Sequence, residues 1–300
     1  MRLRPGSSVI RRIRGLGLSD GADEITRLSL VVLHGNTALT YALFTVAFME
    51  QVAVPTMART LYRRGTGDIM QLPTERNADT LVFFGQLLDH GPDSPIGRAW
   101  INRLNDIHAH FPLRNEDSLY TLATLALDPH RITSQLGRSP FTRKELEAQW
   151  QFWRTVARLQ GIQHIPRSRN ELERWRISYE TREFEPSFEG REVAHSLIDT
   201  FGEQILPRPL RRYAIDLIAA LCTPRLREIH DLPEPSRLLG YALRAATVTY
   251  ALSKGLRPVD VDRSFIEAFG SHSRDPHDPS TVGYRNRRPL SSDDRPLDEA

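Results

Sequence analysis

Two histidines lie two positions apart in Ile107-His108-Ala109-His110-Phe111, and the stretch from Gly97 to Tyr120 that holds them reads as the one that organises the chain. An imidazole titrates close to neutral pH and is the commonest protein ligand for transition metals. Read at 3.6 residues per turn, residues 97–111 put Ile101, Leu104, His108 and Phe111 on one face and Arg103, Asp106 and His110 on the other. The two rings diverge by roughly 200° about the axis. They could share a metal only on a strand, where alternate residues face the same way. His108 rides the apolar stripe and keeps two readings: a hydrogen-bonded core histidine, or a ligand to a group bound inside.

The preceding segment places further polar groups on an apolar face. Across residues 75–90, Arg76, Thr80, Phe84 and Leu87 fall at i, i+4, i+8 and i+11. An arginine turned inward needs a partner, either a core carboxylate or an anion held in a site. Consecutive helices with a short connection usually pack as neighbours, and only the turn at residues 91–95 separates these two. Together they could surround a flat macrocycle, with imidazole ligating iron on one side and polar groups near the other. Haem iron asks the protein for one strong axial donor. The sequence permits this geometry without demanding it.

Other chemistries find little support. No phosphate loop, dinucleotide fingerprint, zinc-protease helix or nucleophile elbow is present. Glu192 and His195 form an E-x-x-H, but a di-iron bundle needs two such pairs with two further glutamates. The single cysteine, Cys222, excludes an intramolecular disulfide and a cysteine zinc site, and it fits a reducing, cytoplasmic setting. The net charge is only +3, lysine occurs only at Lys144 and Lys254, and no basic stripe carries interleaved aromatics. Nucleic acid is therefore not an expected partner.

Helices must position these residues. Residues 28–49 carry no charge and are long enough to span a bilayer. His34, Gly35, Asn36, Thr37 and Thr40 interrupt the stretch, and such groups are costly in hydrocarbon. The preferred expectation is a short apolar segment followed by a buried helix capped by Asn36, with a true span or monotopic attachment as the alternatives. Further starts are expected at Pro55 and at Thr74-Glu75. Pro112 should end the His108 helix, with Asn115 capping the next, and Asp128-Pro129 should break that one. Thr142 and Glu145 read as a capping box, Ser168 or Asn170 as a cap, and residues 191–201, 208–221 and 236–252 as later helices.

No repeat or run of alternating strands is visible. The expected fold is all-α, one large multi-helix domain over residues 21–270, with central helices that could enclose a haem-sized pocket. Residues 1–20, with five arginines, read as a flexible basic arm, solvated or touching anionic lipid. Residues 271–300, rich in proline, serine and charge, read as disordered.

Several segments together resemble the MpaB-like oxygenase family, which includes fungal ER-bound oxygenases and bacterial latex-clearing proteins. They are Phe48-Met49-Glu50-Gln51-Val52-Ala53-Val54-Pro55, Arg76-x-x-Asp79-Thr80, Ile107 to Pro112, Arg114-Asn115-Glu116-Asp117 with Leu119-Tyr120-Thr121-Leu122, Ile165-Pro166-x-Ser168, and Leu206-Pro207 to Arg211. The resemblance implies an all-α fold, a b-type haem, and O2-dependent cleavage or oxygenation of an unsaturated isoprenoid, terpenoid or lipid. It implies His108 as the axial iron ligand, Arg76, Asp79 and Thr80 as the polar catalytic group beside the haem, and Phe111 as a further cofactor contact. Peripheral association with a membrane would deliver such a substrate. Asp79 stands where the rubber-cleaving branch is expected to carry lysine, and an ionised acid has no N–H to offer dioxygen, which argues against rubber as substrate. The reading from a different class is a non-catalytic all-α carrier or sensor of haem or another hydrophobic ligand.

Overall fold

In a computed structural model that describes residues 2–269 and 275–284, the chain folds as one helical domain. The expected flexible arm is instead structured. Leu3–Pro5 (β1) leads into helix α1 (Gly6–Gly15), then α2 (Leu18–Arg27). The arginines had suggested a solvated arm, but Val9 and Ile13 at i, i+4 bury against Ile25, Leu28 and Val259 and hold α1 down.

A π-helical turn, Leu28–Leu33, follows, and Asn36 caps α3 (Thr37–Val52) by accepting from the Leu39 N–H at 3.0 Å. The uncharged stretch is thus two elements bent by 114°, and no single helix among the described residues is long and apolar enough to cross a membrane. From Tyr41 to Val52, α3 is buried almost throughout and packs against later helices as the core's axis.

Proline opens α4 (Pro55–Tyr62), then the short α5 (Asp68–Gln71) leads to α6 (Pro73–His90) and α7 (Pro95–His108), which pack on each other. Helix α8 (Asn115–Gln135) differs from expectation at two points. Its N-cap is Arg114, and Asn115 instead clamps residue Gln163, accepting from its N–H at 2.7 Å and donating to its carbonyl at 3.0 Å. Nor does Asp128-Pro129 break it. Proline forfeits one helical hydrogen bond there, while Asp128 is pinned by Arg131 at 3.1 Å and by Arg176, so tertiary pairing carries the helix through.

The capping box starts α9 (Arg143–Leu159), and Ser168 caps α10 (Arg169–Glu183). Then come α11 (Phe188–Ile205), α12 (Ala214–Ala219), α13 (Pro224–His230), α14 (Arg237–Ser253), the strand β2 (Pro258–Asp260) and α15 (Phe265–Phe269). β2 pairs antiparallel with β1, Leu3 opposite Asp260, so the two ends of the domain meet. Asp89 at the end of α6 caps α15, accepting from the Phe265 N–H at 2.9 Å.

Of the segment expected to be disordered, residues 271–274 and 285–300 lie outside the described residues. Residues 275–284 run back across α6 and α7. Gln86 donates to the Pro276 carbonyl at 2.6 Å, and Arg103 to the Tyr284 carbonyl at 2.9 Å. Val282 is fully buried there.

Candidate functional site

One side of the bundle is hollow. A cavity of about 600 Å³ lies between α3, α6, α7, α8 and α9, and its walls include Phe48, Phe83, Phe84, Leu104, Leu125 and Trp153. That volume suits a cofactor or substrate of ordinary size. His108, Arg76, Asp79, Thr80 and Phe111 all line it. The i, i+4, i+8, i+11 face of α6 is the wall itself, since Phe84 and Leu87 line it beside Arg76 and Thr80. From residues 28–49 only Phe48 reaches the cavity.

His108 is the last residue of α7, and Ile107 beside it is buried. Its ring makes no hydrogen bond among the described residues, and burial alone holds its pKa down to about 4. The side chain is therefore a neutral imidazole at pH 7 with a free lone pair. His110 points elsewhere. It is exposed, its Nδ1 lies 2.7 Å from the Asp106 carbonyl, and it does not line the cavity.

Arg76 supplies the opposite chemistry. Its guanidinium sits 4.3 Å from the centre of the Phe48 ring and donates to Asn77 Oδ1 at 3.5 Å. No carboxylate stands within ion-pair distance among the described residues, and burial brings its pKa down to about 10 against the pull of Asp68, Tyr41 and Asp79. It remains a cation, partly compensated by the ring and facing a cavity. Thr80 lines the cavity and donates to the Arg76 carbonyl at 3.0 Å. Asp79 is buried and accepts from the Gly283 N–H at 2.9 Å, so it ties residues 275–284 to the site.

Sequence reading missed several walls. Tyr284 closes one side, its ring 5.2 Å from Phe111 and 5.4 Å from the Arg63 guanidinium. Arg63, in a left-handed turn (φ 46°), also lies over Phe111. Nothing in the local sequence marks either residue, because they reach the cavity from a turn and from a remote segment. Asp117 carried a signal in its Arg114-x-x-Asp117 spacing. It is buried, receives Arg114 at 2.6 Å and accepts from Tyr179 Oη at 2.5 Å.

The core behind the cavity holds a second cluster. Glu50 and Asp128 share Arg176, with Glu50–Arg176 at 2.5 Å, and Arg131 bonds both acids. Burial pushes Glu50 up to about 8 against the pull of Arg176. Gln51, the next residue, lines the cavity and donates to Thr124 at 3.1 Å. Glu192 and His195 are exposed on α11, and no group of three or more metal-binding side chains converges among the described residues.

Residues 31–252 match the family model of the ER-bound oxygenase mpaB/B' and rubber oxygenase catalytic domain. The chain belongs to that family. Among its relatives, the ER-bound oxygenase mpaB' of Penicillium brevicompactum is 22% identical over 224 residues, 69% of this chain and 53% of that protein. The ER-bound oxygenase mpaB of Penicillium roqueforti is 23% identical over 164 residues, 49% of this chain and 55% of that protein. The chain spans about half the length of these relatives. The matched region holds every helix around the cavity, whereas Gly283 and Tyr284 lie beyond it.

Proposed function

We propose that this chain is a haem b-dependent oxygenase acting with O2 on an unsaturated, apolar isoprenoid, terpenoid or lipid. The observation that carries the reading is His108, a neutral imidazole without a hydrogen-bond partner among the described residues, on the wall of an aromatic-lined cavity. The donor set fits the group. One inward imidazole, with no further metal-binding side chains converging on it among the described residues, suits a metal carried by a prosthetic group. Arg76, cationic and lacking an ion pair among the described residues, suits an anionic propionate.

In this reading His108 would hold the iron, and Phe111, on the same cavity wall, would be a further contact of the bound group. Bound haem supplies an iron centre for O2-dependent oxygenation or cleavage of a carbon–carbon double bond. Arg76 would fix an acidic group of the bound molecule, and Thr80 would add a polar group on the same wall. Asp79 acts as a positioning residue by holding residues 275–284 over the site. Phe48, Phe83, Phe84 and Trp153 exclude water and bind the substrate's apolar chain. Such a substrate resides in bilayers, and peripheral association with a membrane would bring the cavity to it.

The test is spectroscopic, then catalytic. Purified protein, as isolated or after addition of haemin, should show a Soret band that His108→Ala removes or shifts. It should then consume O2 with an isoprenoid substrate. Absence of a Soret band under both conditions overturns the reading. Haem binding without O2 consumption across isoprenoid, terpenoid and lipid substrates would make the chain a carrier or sensor instead.

A further inference from the structure

Helix α14 has almost no place in the core. Over 17 residues it buries only Ala251, while Leu238, Tyr241, Leu252 and the following Leu256 are 79%, 70%, 60% and 86% exposed. At about 100° per residue Leu238, Tyr241 and Leu252 fall within a sector of roughly 60°, which also holds Ala245 and no charged residue, and Leu256 follows in the turn just past the helix end. A long apolar row is thus exposed on this helix.

Within the two neighbouring stretches of sequence the charge is of one sign. Residues 236–259 contain Arg237, Arg244, Lys254 and Arg257 and no acid, and residues 1–19 contain five arginines and no acid. The two segments touch. The Gly6 N–H donates to the Arg257 carbonyl and the Ser7 N–H to the Gly255 carbonyl, both at 2.8 Å. Ser7, Arg11 and Arg14 share a face of α1 at i, i+4 and i+7, so a row of arginines begins beside the end of α14. Arg12 pairs with Glu24 at 2.7 Å, whereas Arg2, Arg4, Arg11 and Arg14 are exposed with no ion pair among the described residues.

We propose that the outer row of α14 and the arginine face of α1 dock the protein on a bilayer containing anionic lipid. Leu238, Tyr241, Leu252 and Leu256 enter the acyl boundary, and the arginines meet headgroup phosphates. The proposal rests on the membrane association suggested above and names its surface and its lipid chemistry. A second copy of the chain is the weaker occupant on two counts. A helix of this length presents a strip about 25 Å by 10 Å, far short of the ~800 Å² per partner of a stable protein interface. It would also bring arginines against arginines.

The experiment is sedimentation of the 300-residue chain with vesicles of phosphatidylcholine alone and of phosphatidylcholine mixed with phosphatidylglycerol. Binding to the mixed vesicles should be at least about tenfold tighter, and raised salt should weaken it. Leu238→Ser with Leu252→Ser should lower it about tenfold or more, and Arg11→Glu with Arg14→Glu should abolish the preference for anionic lipid. All four side chains are exposed, so thermal melts should match the parent. Equal partitioning of parent and variants, or no binding to mixed vesicles, overturns the proposal. So does a dimer by light scattering that the serine pair dissociates. The assay needs neither haem nor turnover, so its failure is separate from failure of the oxygenase reading.

Discussion

Protonation of His108 gives the sharpest quantitative consequence. Its pKa falls from the ordinary 6.5 to about 4 inside the protein, and burial is the cause. At 1.36 kcal/mol per unit that difference is about 3 kcal/mol in favour of the neutral ring, a ceiling because part of the ring faces the cavity. Two effects follow. Above pH 6.5 the ring is neutral folded or unfolded and contributes nothing to pH dependence. As pH falls from 6.5 toward about 4 the unfolded chain takes up a proton that the folded one refuses, so stability is lost, and below about 4 the loss stops growing. Urea melts across this range should show the parent losing up to about 3 kcal/mol more than His108→Phe, the difference isolating this ring from other buried histidines. Haemin titrations at stepped pH should show ligation surviving to pH 5, with half-loss at or below about 4, because iron competes against an already weak base. A midpoint near 6.5, or a haemin spectrum unchanged in His108→Ala, would refute the assignment.

Three further outcomes test other parts of the site. Arg76→Met should leave stability within about 1 kcal/mol or raise it, since the charge has no ion pair to lose, while haemin affinity falls about tenfold. Equal haemin affinity in parallel titrations would remove Arg76 from the site. Arg176→Met should cost about 3–5 kcal/mol in urea denaturation, because it leaves Glu50 and Asp128 buried and facing each other with Arg131 alone. A cost below about 1 kcal/mol would mean that the cluster is solvated. Gly283→Ala puts a methyl 2.7 Å from Ile107 Cδ1 at φ +82°, so residues 275–284 should lift and be cut faster in limited proteolysis. The helical circular dichroism should stay unchanged, and unaltered cleavage would refute the packing described for this segment.

Much of this protein was legible without coordinates, because the signals are local. The caps at Asn36, Thr142 and Ser168 are side chains satisfying amides two or three residues away, which sequence spacing reports directly. The faces of α6 and α7 follow from the helical repeat, so Arg76, Thr80, Phe84 and His108 could be assigned to inward stripes. The resemblance to an oxygenase family was readable from the same segments and stands in the match over residues 31–252.

What failed to show depended on partners remote in the chain. Pro129 reads as a breaker, yet α8 continues because Asp128 is anchored by Arg176 from another helix. The arginine-rich start reads as solvated, yet Val9 and Ile13 find Val259 some 250 residues away. A helical period tells which residues face inward but not whether the inside is filled. Sequence alone therefore made His108 an inward imidazole, and only the tertiary packing left an open cavity beside it instead of a hydrogen-bond partner. The same packing brought Tyr284 to close that cavity and left α14 exposed, since both depend on which surfaces meet, and no local pattern of residues encodes that.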